Sequence, residues 1–202
     1  AIASILFGDA NPSGRLPVSI PRSVGQLPVY YSAGKQRDYM DFTSEPLYPF
    51  GYGLSYTTFE YSGLKIEKLS SSAVGMTSDN GLMMDASPAV AKVTVNVKNT
   101  GSRDGSEVVQ LYVHDCQNEI IRPEKELKGF VKLSLEPGET KTAEFVLNKR
   151  SFAYYDVEQK DFLVQSGQFE ILVGASSRDI RLKKTVTVTS TAKIHKHFHA
   201  NT

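Results

Sequence analysis

Tryptophan is absent from this 202-residue chain, and cysteine occurs once, at Cys116. A single cysteine excludes an internal disulfide framework and leaves the redox compartment open. The expectation for Cys116 is a small core residue, because free cysteine is among the most buried residue types. No apolar run approaches the length needed to cross a bilayer, so no membrane is expected as a partner. The formal net charge of +1 gives no electrostatic basis for binding nucleic acid either. A glycine-rich phosphate loop, zinc-ligand spacing and a Ser/His/Asp constellation are all missing, so neither a cofactor nor a metal is expected.

The chain also opens without methionine and without the charged and apolar regions of a signal peptide. Ile2, Ile5 and Leu6 have the i, i+3, i+4 spacing of a helix face, and Gly8 suits a C-terminal cap. These residues look like the last turns of a helix whose beginning is missing, and the expectation is a fragment.

With 40% apolar and 22% charged residues, the composition is that of an ordinary globular protein of one or two domains. Residues 9–57 are rich in turn formers, among them Pro12, Pro17, Pro21, Pro28, Pro46, Pro49, Gly51 and Gly53. The run 16–20 is a candidate strand, with Pro17 tolerable near its start or at an edge. Nothing in residues 1–57 closes a core alone, and they read as an extended tail laid over another body.

From Phe59 onward the pattern changes to period two. Val93, Val95 and Val97 alternate with polar residues, as do Val109, Leu111 and Val113. Further stripes are Val131, Leu133 and Leu135; Ala143, Phe145 and Leu147; and Phe169, Ile171 and Val173. Ile180, Leu182, Val186 and Val188 form the last, interrupted by Lys184. Short alternating strands between turns predict a mainly β fold, an antiparallel sandwich of immunoglobulin or fibronectin type III kind with one face of each sheet wet. Without tryptophan and a cysteine pair it is not a true immunoglobulin domain, and Phe169 stands where such sandwiches often carry a corner tyrosine. The predicted sandwich spans 58–190, and 191–202 is expected as a flexible tail. A long polar loop, residues 70–88, contains Met83 and Met84 and is expected to be mobile or functional.

Three sets of segments resemble one family. The first set lies within residues 8–57: Gly8-Asp-Ala-Asn-Pro-Ser-Gly-Arg-Leu-Pro-Val-Ser-Ile-Pro21, Gly25-Gln-Leu-Pro-Val-Tyr-Tyr31 and Pro46-Leu-Tyr-Pro-Phe-Gly-Tyr-Gly-Leu-Ser-Tyr-Thr57. The second comprises Glu107-Val-Val-Gln-Leu-Tyr-Val113, Arg122-Pro-Glu-Lys-Glu-Leu-Lys-Gly-Phe130 and Leu135-Glu-Pro-Gly-Glu139, and the third is Gly167-Gln-Phe-Glu-Ile-Leu-Val-Gly174. In this order they resemble the C-terminal part of glycoside hydrolase family 3, which includes β-glucosidases and β-xylosidases. The resemblance implies that residues 1–57 are the tail of a truncated α/β sandwich domain with its linker, followed by a fibronectin type III-like domain. It implies a retaining glycosidase, in which an Asp attacks the anomeric carbon and a Glu cycles between acid and base. Both family positions belong to segments before Ala1, so no catalytic residue is assigned here and the chain alone is expected to be inactive. The implied partners are the missing N-terminal catalytic domains and a β-linked oligosaccharide or glycoside. The implied location is periplasmic or secreted.

Other carboxylate pairs, Asp38 with Asp41, Glu124 with Glu126 and Asp156 with Glu158, read as solvated surface charge. Arg37, Asp38 and Tyr39 lie in a polar insertion and are candidates for the rim of the sugar site in an intact enzyme. His195, His197 and His199 alternate as metal ligands on one strand face would, but a disordered tail is the favoured reading. His114 reads as a surface residue. The aromatic stretch 46–59 leaves two functions open. Tyr30, Tyr31, Tyr48, Tyr52 and Tyr56 would form the platform of a carbohydrate-binding module, whereas Tyr48, Phe50, Tyr52 and Tyr56 would act as interdomain anchors, the preferred reading. A cell-surface interaction module is the third alternative.

Overall fold

The computed structural model describes residues 2–33, 38, 43–69, 89–117, 122–157, 160–189 and 193–194. The described residues open with a short helix, α1 (Ile2–Leu6), and those between it and the first strand form no further helix or strand apart from one 3₁₀ turn. Gly8 has φ of +82°, the left-handed conformation of a helix cap, as its position after the helix predicts. The strands are β1 (Phe59–Lys68), β2 (Ala89–Asn99), β3 (Gly105–Asp115), β4 (Glu126–Leu135), β5 (Thr140–Asn148), β6 (Tyr154–Asp156), β7 (Asp161–Leu163), β8 (Gly167–Gly174), β9 (Ile180–Val188) and β10 (Lys193–Ile194).

One sheet has the order β1-β2-β5 and a second the order β4-β3-β8-β9, with every pairing antiparallel. Strands of both sheets share one core, giving the fibronectin type III arrangement. The period-two stripes lie where they were expected: Val93, Val95, Val97, Val109, Leu111, Phe169, Ile171 and Val173 are fully buried. Each such side chain contributes about 1.5–3 kcal/mol by leaving water. On the opposite face of the first sheet, Thr142 Oγ1 donates to Asn96 Oδ1 at 2.8 Å in an exposed pair, so that face is wet as predicted. Short β6 and β7 form a hairpin, and β10 pairs with β7 through Lys193 and Ile194, inside the region expected as a flexible tail.

The second sheet departs from expectation. Its outer face is dry around β3, because Gln110 and Tyr112 are as buried as the inward valines, and Leu172 of β8 is buried beside them. The N-terminal segment covers that face. Tyr31 stacks on Phe50 with ring centroids 4.3 Å apart and meets Tyr112 edge-on at 6.1 Å. The tail therefore lies over a body within this chain, its own sandwich. The run 16–20 is not a strand. Pro17 cannot join a ladder, and only Ile20 bridges Tyr48, while Leu16 N donates to Tyr52 O and Gly51 N to Leu16 O. Cys116 is exposed rather than in the core, since it follows the last residue of β3 and the inward alternation ends before it.

Arg37, Tyr39, Asp41, the 70–88 loop, Glu158 and the three tail histidines lie outside the described residues.

Candidate functional site

The junction between the N-terminal segment and the sandwich is built on two polar clusters. In the first, Arg15 Nη2 meets Glu107 Oε2 at 2.5 Å, and Tyr61 Oη donates to Glu107 Oε1 at 2.8 Å. Arg181 lies 5.2 Å over the Tyr61 ring, donates to Phe59 O at 2.6 Å and is held in a two-pronged contact by Asp179. The side chains of Arg15 and Glu107 are only 10% and 4% exposed. Burial pushes the Glu107 carboxyl above the usual range, and the Arg15 cation and the Tyr61 hydroxyl only partly oppose this. Burial, with the Glu107 charge beside it, likewise raises Tyr61. The second cluster centres on buried Asn99, whose Oδ1 accepts from Thr57 Oγ1 at 2.6 Å and whose Nδ2 donates to Arg103 O and Leu135 O. Asn11 extends it, accepting from Tyr56 N and donating to Asp104 O.

A cleft of about 850 Å³ opens between the N-terminal segment and the sandwich. Tyr30, Asp38 and Glu45 line it from the N-terminal segment, and Glu124, Lys125 and Arg178 from the sandwich. Gln26, almost wholly buried, fixes the first lip by donating to Thr43 O and Glu45 O at 3.1 and 2.8 Å. The two lips are joined directly. Arg178 pairs with Glu45 at 2.6 Å, Ser177 N donates to Phe50 O at 3.0 Å, and Leu127 N donates to Tyr31 Oη at 3.2 Å.

Of the predicted rim residues, Asp38 lines this cleft, where its Oδ1 accepts from Ser44 N at 2.7 Å and Ser44 Oγ at 2.8 Å. Of the predicted anchors, Phe50 packs on Tyr31, and Tyr48 and Tyr52 pack on each other at 5.0 Å. Tyr56 donates to Ile5 O at 2.7 Å and lies under Arg103. Glu124 and Glu126 stand in ion pairs with Lys125 and Lys128, as a charge cluster should. Within that cluster, however, Arg122 and Asp115 form a buried pair at 2.7 Å, with side chains 8% and 5% exposed. His114 is half-buried and bonded through Nδ1 to Glu124 O. Exposed Cys116 is no activated nucleophile: desolvation and the Glu170 and Asp115 carboxylates push its thiol up. Among the described residues no group of three His, Cys, Asp or Glu side chains is placed to hold a metal.

Arg15 and Glu107 were missed, although a signal existed. Glu107 is in phase with Val109, Leu111 and Val113, and a carboxylate on an inward face demands a buried partner. The cleft had no such signal, since its lips lie about eighty residues or more apart in sequence.

The fold is a fibronectin-like sandwich with a preceding segment packed on the outer face of one sheet. Comparison with known proteins assigns that fold to a family. Residues 1–56 match the glycosyl hydrolase family 3 C-terminal domain, and residues 107–177 match the fibronectin type III-like domain. The chain belongs to glycoside hydrolase family 3 and corresponds to the C-terminal region of its members. It is 45% identical to thermostable β-glucosidase B of Acetivibrio thermocellus, a match covering 100% of this chain and 27% of that protein. It is 41% identical to the periplasmic β-glucosidase of Salmonella typhimurium, covering 90% and 23%. A solved β-glucosidase from Erythrobacter marinus superposes with a TM-score of 0.78 at 42% identity, covering 93% of this chain and 23% of that one. The chain thus spans about a quarter of the length of the relatives it matches. No helix among the described residues is long and apolar enough to cross a membrane.

Proposed function

We propose that this chain is the non-catalytic C-terminal region of a retaining β-glycosidase that releases terminal β-linked glucose or xylose, and that it works by completing and bracing the catalytic domains. The observation that carries the reading is the continuous junction between the family 3 segment and the sandwich, with buried Arg15, Glu107 and Asn99 at its centre. Exposed apolar side chains support a partner body. Ile2, Leu6 and Phe7 of the α1 region, with Val24 and Leu54, all in the residues that precede the sandwich, are each at least 66% exposed. Catalytic domains of the same protein are the occupant this reading requires. A retaining mechanism needs two carboxyls about 5–5.5 Å apart, and the acids described at the cleft are committed to ion pairs and turn contacts instead. The likeness to a periplasmic relative supports a periplasmic or secreted location.

The test is hydrolysis of 4-nitrophenyl β-glucoside and β-xyloside by the full-length protein and by the 202-residue chain. Turnover with retained anomeric configuration is expected from the full-length protein and none from the chain. Turnover by the chain, or none of either glycoside by the full-length protein, overturns the reading.

A further inference from the structure

A lone exposed apolar side chain needs no explanation, but Phe130 stands in a particular place. It lies in the middle of β4, the edge strand of the second sheet, directly opposite Gln110 of β3. Opposite residues of an antiparallel pair point to the same face. Gln110 points to the outer face, where its amide is buried and donates to Gly51 O at 3.1 Å. Phe130 therefore shares the face that the N-terminal segment covers, and it stays 67% exposed with that segment in place.

Contacts of that segment flank Phe130 along its own strand. Three residues before it, Leu127 N donates to Tyr31 Oη at 3.2 Å, and two residues after it, Lys132 Nζ donates to Ser13 Oγ at 2.8 Å. Tyr31 and Ser13 both belong to residues 1–56, which match the family 3 C-terminal domain. The open phenyl ring thus lies between two points at which that domain already touches the sandwich. The chain matches a relative along its whole length yet spans 27% of it, and a larger body packed on the N-terminal segment reaches this edge next.

We propose that Phe130 is an anchor by which the sandwich itself, and not only the segment before it, docks on the catalytic domains of the same protein. Its occupant is an apolar depression on those domains that takes the phenyl ring. The partner rests on the bracing reading above, whereas the place of the contact follows from the geometry of β4. Bracing then runs along two lines, one through the N-terminal segment and one through the outer face of the second sheet.

The experiment is hydroxyl-radical footprinting of the 202-residue chain and of the full-length protein, read residue by residue by mass spectrometry. Phe130 should be oxidised readily in the chain and several-fold more slowly in the full-length protein. Val146, exposed on the outer face of the other sheet, should react equally in both. A second measurement uses Phe130→Thr, which keeps a strand-forming residue and removes the ring. It should leave the melting temperature of the chain within about 1 °C, as surface substitutions do, and lower that of the full-length protein by several degrees. Equal oxidation of Phe130 in the two proteins, or an equal shift of both by Phe130→Thr, overturns the proposal. Protection of Phe130 already in the chain overturns it too, because another part of the chain or a second copy would then be the cover. These results are separable from the reading they rest on. Protection of Phe7 without Phe130 in the full-length protein removes the anchor alone, and no protection of either removes the bracing role as well. Protection of Phe130 in a full-length protein without glycosidase activity removes the catalytic reading alone.

Discussion

Glu107 occupies a position where the alternation of β3 otherwise places valine or leucine, and Arg15 is the partner that makes a carboxylate tolerable there. Even so, burial outweighs the partner and raises the carboxyl. The folded state therefore holds this proton more tightly than the unfolded chain. The group's contribution to stability is full below its unfolded value and is lost as pH rises through the raised folded value. Arg15→Met removes the cation that lowers it, so the folded value rises further and the carboxylate is left buried without its counter-charge. The expected loss at neutral pH is about 3–5 kcal/mol. It should shrink on acidification, as Glu107 takes up a proton and keeps its bond to Tyr61. Urea denaturation of both proteins across a pH series measures this, and a loss independent of pH would show that charge is not its cause.

Among the elements, the aromatic segment 46–57 turns on Gly51. Its φ is +80°, and a Cβ there would lie 2.1 Å from Gln110 Oε1, the atom that accepts from Tyr112 Oη. Gly138 has a similar φ of +77° but nothing within 4 Å. Alanine at either position meets the same backbone strain, and only at Gly51 does it also collide with the buried amide. Gly51→Ala should therefore cost about 1–3 kcal/mol more than Gly138→Ala, read from the difference in their denaturation midpoints. The same comparison explains what was legible. In β2 one face meets the core and the other meets water, so the valines alone reveal the strand and its orientation. In β3 the inward face was equally plain. Its outer face, Gln110 and Tyr112, carries polar atoms that look solvated until Gly51 O and Ala175 O accept from Gln110 Nε2. The cleft was illegible for the same reason: Tyr30, Glu45 and Arg178 converge only through tertiary packing.

At the scale of the molecule, the sandwich and the segment before it share one hydrophobic boundary. Residues 58–190 alone would expose Tyr112, Gln110 and Leu172 on one sheet face. The shortened protein should bind the dye ANS and melt below the full 202-residue chain, with Tyr112 alone accounting for about 1.5–3 kcal/mol. Equal melting temperatures and no dye binding would mean that the sandwich stands independently. The double-sided burial of β3 also bears on how family members can be recombined. A chimera joined at residue 58 would set a foreign, solvent-adapted sheet against Tyr31 and Phe50. The natural crossover unit therefore includes the N-terminal segment, and exchange of C-terminal domains between family members should succeed only when both sides of that boundary travel together.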